Sequence, residues 1–159
     1  MKRKKSGFTL VEILIVVIIL GILAAIVIPQ FSAASNDTRE SSAMSDLKAV
    51  RTQLQLYKAQ HNELYPDDFD NQMTLYSDVD GNTNASYTTT FRFGPYMMRV
   101  PPNPYTGVST ITVVTGVATA YSAAGDSQQG WWYNSSTGEF RCHVPDANVT
   151  ADGRKVNEL

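Results

Sequence analysis

Residues 2–29 read Lys2-Arg3-Lys4-Lys5-Ser6-Gly7-Phe8-Thr9-Leu10-Val11-Glu12, then an unbroken apolar run from Ile13 to Ile28, then Pro29. A basic leader ends in glycine, and one carboxylate stands at the head of an aliphatic segment. From Phe8 to Ile28 is 21 residues, and a helix rising 1.5 Å per residue makes that about 31 Å long. That length matches the hydrocarbon thickness of a bilayer. Four positive charges precede the span, and the next one after it is Arg39. The charge asymmetry predicts a cytoplasmic leader and an exported remainder. An ordinary secretory signal has a shorter apolar core, about 7–15 residues, whereas the run from Ile13 to Ile28 is 16 residues with an acid just ahead of it.

Glu12 is the anomaly, because a carboxylate inside a membrane helix is costly and by default functional. One reading has it near the helix end, reaching back to the headgroups. The other supplies a cation at the same depth: a cut after Gly7 leaves an α-amino group on Phe8, and a neighbouring copy brings that amine to Glu12. Two unit charges about 4 Å apart gain on the order of 4 kcal/mol at an effective dielectric near 20. This offsets the few kcal/mol that the buried acid costs.

Residues 5–29, Lys-Ser-Gly-Phe-Thr-Leu-Val-Glu followed by the aliphatic run and Pro29, closely resemble the prepilin signature of type IV pilins and type II secretion pseudopilins. The resemblance implies cleavage after Gly7 by a prepilin peptidase that also methylates the new N-terminus at Phe8. It implies that Glu12 is the assembly carboxylate and that Pro29 kinks the long helix. Gly94-Pro95-Tyr96 and Asn103-Pro104-Tyr105-Thr106-Gly107 resemble a loop of major, G-type pseudopilins, which favours the secretion branch.

The chain of 159 residues carries a formal charge of −2 and is long enough for one modest globular domain besides the membrane segment. Losing residues 1–7 removes four of 13 basic residues and no acid, leaving nine against 15, a charge of −6. An acidic chain lacks the clustered Lys and Arg of a nucleic-acid-binding surface.

Beyond Pro29 a helical period persists. Met44, Leu47, Val50, Leu54, Tyr57 and His61 recur at steps of three or four, one apolar stripe on an amphipathic helix. The helix is expected to end near Asn62, because Pro66 disfavours helical geometry at Tyr65. The expected architecture is α+β and pilin-like: a long N-terminal helix whose first half spans the membrane, with a C-terminal antiparallel β-sheet head. Its divisions are a cleaved leader (1–7), a transmembrane half-helix (8–28), an amphipathic periplasmic half (29–62), a loop and sheet head (63–144) and a mobile polar tail (145–159).

In the head, four prolines between Pro95 and Pro104 predict a stiff extended connector. The β-branched run Thr110–Thr115 reads as a strand. Gly130–Tyr133 and Glu139–Val144 around the turn Asn134–Gly138 read as a hairpin. Alternation places Phe140, Cys142 and Val144 inward and Glu139, Arg141 and His143 outward, with Trp131 and Tyr133 facing the helix stripe. The lone Cys142 reads as a small buried apolar residue.

Asp78-Val79-Asp80-Gly81-Asn82 imitates the opening of a calcium loop, but Thr89 stands where an EF-hand needs its glutamate. The same residues make good turn chemistry. Asp78, Asp80 and Asp126 remain the calcium candidates. Asp146 and Asp152 lie where major pseudopilins carry an acidic calcium loop, without a clear ligand run. His61 and His143 have no partner at ligand spacing, and adjacent Cys142 and His143 point to opposite faces of a strand. No catalytic constellation appears, so no catalytic residue is assigned.

The expected role is a structural subunit of a type II secretion pseudopilus, anchored in the bacterial inner membrane and then polymerised in the periplasm. The expected partners are copies of itself, minor pseudopilins, an inner-membrane assembly platform, the prepilin peptidase/methyltransferase and the membrane, with no nucleic acid. Two alternatives stay open: a type IV pilus subunit for adhesion, motility or DNA uptake, and a membrane-anchored periplasmic domain that never polymerises.

Overall fold

The computed structural model describes residues 7–122, 129–150 and 152–159, with the backbone alone for Ser32 and Ala33. One helix dominates. Helix α1 runs from Leu10 to Gln60, 51 residues, or about 77 Å. It starts two residues later than the span's length requires, because Thr9 takes the cap position and its side chain accepts a bond from the Glu12 amide. Pro29 lies inside α1 without ending it. The far end closes at His61, after which Asn62 and Glu63 adopt left-handed backbone (φ 52° and 62°). The Glu63 amide folds back onto the Lys58 carbonyl at 3.1 Å, the kind of reversal that satisfies a terminal helix carbonyl.

The two halves of α1 differ in burial. Along the apolar run even the most covered large side chain, Val27, is 41 % exposed and the others exceed 50 %. In the second half Ala43, Leu47, Val50, Leu54, Tyr57 and His61 are buried. Met44, expected in this stripe, is instead half exposed. It sits one residue, or 100°, off the phase that Ala43 keeps four positions before Leu47.

A short helix α2, Phe69–Thr74, and a small antiparallel pair β1 (Tyr76–Ser77) and β2 (Thr83–Asn84) lead into the proline-rich connector. The main sheet has the order β3 (Ile111–Val114), β4 (Trp131–Asn134), β5 (Glu139–Cys142). Strands β4 and β5 form the hairpin, with Trp131 opposite Cys142 and Tyr133 opposite Phe140. Strand β3 joins parallel to β4, so the sheet is mixed. A parallel neighbour requires a long crossover, and the chain between Val114 and Trp131 supplies it, of which 115–122 and 129–130 are described. The architecture is α+β and pilin-like: a long helix with a small sheet laid on its second half.

Two further expectations change. The face of β5 that carries Arg141 and His143 is not open, because His143 is 7 % exposed and Trp132 on β4 only 1 %. The crossover explains this: Tyr121 reaches back over that face, edge-on to Trp132 at 5.5 Å, and its hydroxyl donates to the Val144 carbonyl at 3.2 Å. Residues 145–159 are not a loose tail either. Val149 bridges to Lys155, a 3-10 turn follows at Val156–Glu158, and Val156 is fully buried in the core. One apolar side chain placed in the core is enough to hold such a segment, since burying it is worth roughly 1.5–3 kcal/mol.

Candidate assembly site

At the start of α1 the residues Thr9 and Glu12 close on each other. The Thr9 amide donates to Glu12 Oε2 at 2.7 Å, the Thr9 hydroxyl donates to the same oxygen at 2.8 Å, and the Glu12 amide donates to Thr9 Oγ1 at 3.2 Å. This is a capping box, a pairing that satisfies two amides the helix would otherwise leave bare. Thr9 has no assigned role in the sequence reading, although the Thr-x-x-Glu spacing ahead of an apolar run carries the signal. Phe8 is 82 % exposed, and no atom approaches within 4 Å of where a Cβ on Gly7 would lie. Among the described residues nothing covers the Gly7–Phe8 peptide, and the carboxylate lies four residues beyond Phe8. Gly7, Phe8 and Glu12, the three residues expected to act together, lie at the N-terminal end of α1, where the aliphatic run begins. Pro29 lies 17 residues from Glu12 along the same helix.

The opposite half of α1 carries the head through a polar clamp inside an apolar contact. Arg51 interrupts the stripe; its Nε and Nη2 donate to the Phe140 carbonyl at 3.1 and 2.8 Å, and Nη1 donates to the Leu159 carbonyl at 3.0 Å. Phe69 stacks on Phe140 at 5.4 Å and meets Tyr133 edge-on at 4.9 Å. The Tyr133 hydroxyl donates to the Pro66 carbonyl at 2.9 Å. The connector is pinned from β4: the Trp131 indole donates to the Pro101 carbonyl at 2.8 Å, and the buried Asn103 side chain donates to the Gly130 carbonyl. Burial pushes the Cys142 thiol up to about 12, so it stays a protonated, unreactive core group. Burial also lowers the His143 imidazole, whose Nδ1 lies 3.0 Å from the Thr112 hydroxyl.

The calcium candidates do not converge among the described residues. The Asp78 carboxylate accepts from the amides of Asp80 and Asn82 and from the Asn82 side chain, at 2.9–3.0 Å. These bonds hold it below the usual carboxylate range, the Asn82 side chain first. Asp80 shares this turn through its backbone. Asp126 lies outside the described residues. In the terminal segment Asp146 is bonded to Lys155 and Asn157, and Asp152 to Arg154. No group of three His, Cys, Asp or Glu side chains comes together among the described residues.

A polar-capped apolar half-helix continuous with the helix of a small α+β head defines a membrane-anchored, pilin-like subunit. The sequence family described as the prokaryotic N-terminal methylation motif matches residues 2–28. The type II secretion system core protein G of Aeromonas hydrophila is 36 % identical over 104 residues, covering 65 % of this chain and 70 % of that protein. The protein of the same name from Pseudomonas aeruginosa is 34 % identical over 133 residues, 81 % of this chain and 89 % of its own length. That from Escherichia coli K12 is 32 % identical over 130 residues, covering 80 % and 86 %. No solved structure matches the chain. The chain belongs to the type II secretion system core protein G family, the G-type pseudopilins, and is a structural subunit of a pseudopilus.

Proposed function

We propose that the chain is cut after Gly7, methylated on the new N-terminus at Phe8, and drawn from the inner membrane into a helical filament of its own copies. In that scheme residues 1–7 are the discarded leader, 8–28 cross the membrane with the leader cytoplasmic, 29–62 rise into the periplasm with Pro29 as the bend, and 63–159 are the head. The role is structural rather than catalytic. The observation that carries this reading is a single helix with two opposite faces to the world. Its first half leaves every described large aliphatic side chain uncovered, while its second half is committed to its own head. Each large aliphatic left in water costs roughly 1.5–3 kcal/mol, so the first half requires lipid or other copies of itself.

Glu12 provides the register. Before assembly its charge is met by Thr9 within the same turn; in the filament the Phe8 amine of a neighbour takes over, a stronger partner because it carries full charge. Partners beyond the chain itself are the prepilin peptidase/methyltransferase, minor pseudopilins and an inner-membrane assembly platform. Mass spectrometry of the N-terminal peptide tests this in the native host, on washed envelopes and on sheared extracellular material. N-methylated Phe8 confined to envelopes is the expected result. The same peptide abundant in sheared fibres would mean a surface pilus instead, and an intact Met1 end would overturn the processing scheme.

A further inference from the structure

The main sheet ends differently on its two sides. The β5 edge is closed: Arg51 donates twice to the Phe140 carbonyl, and the turn at Val156–Glu158 lies beside the strand, where Arg141 Nη1 donates to the Asn157 carbonyl at 3.4 Å. The β3 edge is open. In the parallel ladder the amides of Trp131 and Ser135 donate to the carbonyls of Thr110 and Val114. The even-numbered residues of β3 therefore face β4, and the N–H and C=O groups of Ile111 and Val113 point outward. No described residue bonds to them.

Open edges in soluble proteins are guarded by charge, proline or a bulge, because a free row of donors and acceptors is a template for another chain. None of these guards stands on β3. Its four residues, Ile111-Thr112-Val113-Val114, are all β-branched and pair with β4 residue for residue. They lie within a stretch, 100 to 125, that holds no Asp, Glu, Lys or Arg. Ile111 and Val113 share one face of the strand. Ile111 packs against the core, while Val113 is 41 % exposed, an apolar shelf that one more strand would cover.

A second copy does not fit this edge. In-register parallel pairing would oppose Ile111 to itself, whereas a parallel ladder sets each outward-pointing residue against one that points away. A closed pair would have to run antiparallel about an axis normal to the sheet. Since the sheet lies along α1, that axis would turn the two helices in opposite directions, and both could not enter one membrane from the same side. We propose that the open edge of β3 receives an extended, uncharged segment of a different protein, which adds as a fourth strand with alternate apolar side chains beside Ile111 and Val113. The outward backbone groups of the two residues, about 6.8 Å apart along the strand, supply the hydrogen bonds, and the apolar–polar alternation of the shelf sets the selectivity. Only the exclusion of a second copy rests on the membrane-anchored reading; binding of the strand does not.

The probe is the peptide acetyl-Ser-Val-Thr-Val-Thr-Val-Gly-amide, added to the isotope-labelled full chain in lipid nanodiscs, with amide hydrogen exchange followed by NMR. In the free protein the Ile111 and Val113 amides should exchange about a hundredfold or more faster than those of Thr112 and Val114. Peptide should slow them about tenfold or more at saturation, equally at low and high salt because no charges pair. The same peptide methylated on its valine nitrogens keeps the side chains but loses the donors that face β3, and should bind about tenfold more weakly. Val113→Lys, which puts a charge on the edge, should weaken binding by a similar factor. Slow exchange at Ile111 and Val113 without peptide would mean an edge already closed. No slowing by peptide, equal slowing by the methylated form, or indifference to Val113→Lys would mean an edge that takes no strand. Each of these outcomes overturns the proposal. Protection that grows with protein concentration alone would overturn it in favour of a second copy. All of them can occur while Phe8 methylation and filament formation stand, so the two readings separate.

Discussion

The lower and upper halves of α1 are one continuous helix with opposite dependencies. From Leu10 to Ile28 the helix keeps its own backbone bonds and its own cap, and its large aliphatic side chains are exposed among the described residues. From Ala43 to His61 the same helix is half of a core, closed by Trp131, Tyr133, Phe140 and Val156. A helix that is apolar all round needs an outside solvent or partner, whereas one with a single stripe needs one neighbour. The head's stability is therefore an internal property, while the lower half's stability belongs to the membrane or the filament. Changes in one half should leave the other's readout alone.

The largest expected effect breaks that separation at the bottom. Glu12→Leu removes the charge that a neighbouring Phe8 amine would meet, worth on the order of 4 kcal/mol. Filament recovered from envelopes should fall at least a hundredfold, while the head's unfolding free energy in urea stays within about 0.5 kcal/mol of the parent. A head destabilised by this change would mean that the halves are coupled. At the top, Trp131→Ala opens the core and unpins Pro101. It should cost about 3–5 kcal/mol in urea unfolding, with Phe8 methylation unchanged in the fraction that remains folded. Gly138→Ala follows at roughly 1–3 kcal/mol, because φ there is +73° and the new Cβ would lie 2.2 Å from the Tyr65 ring. Arg51→Met exchanges three donors for a thioether and should cost about 1.5–3 kcal/mol; equal stability would mean that the contact between α1 and β5 is held by packing alone.

The legibility of the chain divides along the same line. The lower half was readable because one periodicity and one length decide it: aliphatic residues on every face over about 31 Å admit few structures. The upper stripe was readable from the 3.6-residue period, apart from Met44, where a methionine and an alanine compete for one phase. The hairpin followed from alternation around Asn134–Gly138. What could not be read was non-local. The parallel placement of β3 depends on a crossover whose path no local pattern states. The burial of His143 follows from that same crossover, and the docking of Val156 follows from space left beside Arg51 and β5. At the site, Gly7, Phe8 and Glu12 were legible as neighbours on one turn, and Thr9 was marked by its spacing.

The smallest effect sharpens the comparison through pH, since both histidines, His61 and His143, lie in the upper half and head. Burial lowers the His143 pKa from its ordinary value of 6.5, so the folded head favours the neutral ring. Above that value both folded and unfolded chains hold His143 neutral and the group contributes nothing to the pH dependence. As pH falls below 6.5, the unfolded chain takes up a proton that the folded head resists, and stability drops. Urea midpoints at pH 7.5, 6.5 and 5.5 should therefore decline on the acid side in the parent. In His143→Gln, which keeps a polar side chain opposite Thr112 and removes the titration, the decline should be shallower. A parallel decline in both proteins would assign the acid sensitivity to groups other than His143, and overturn this reading. A shallower decline in the variant would place it under the crossover, on the covered face of the sheet.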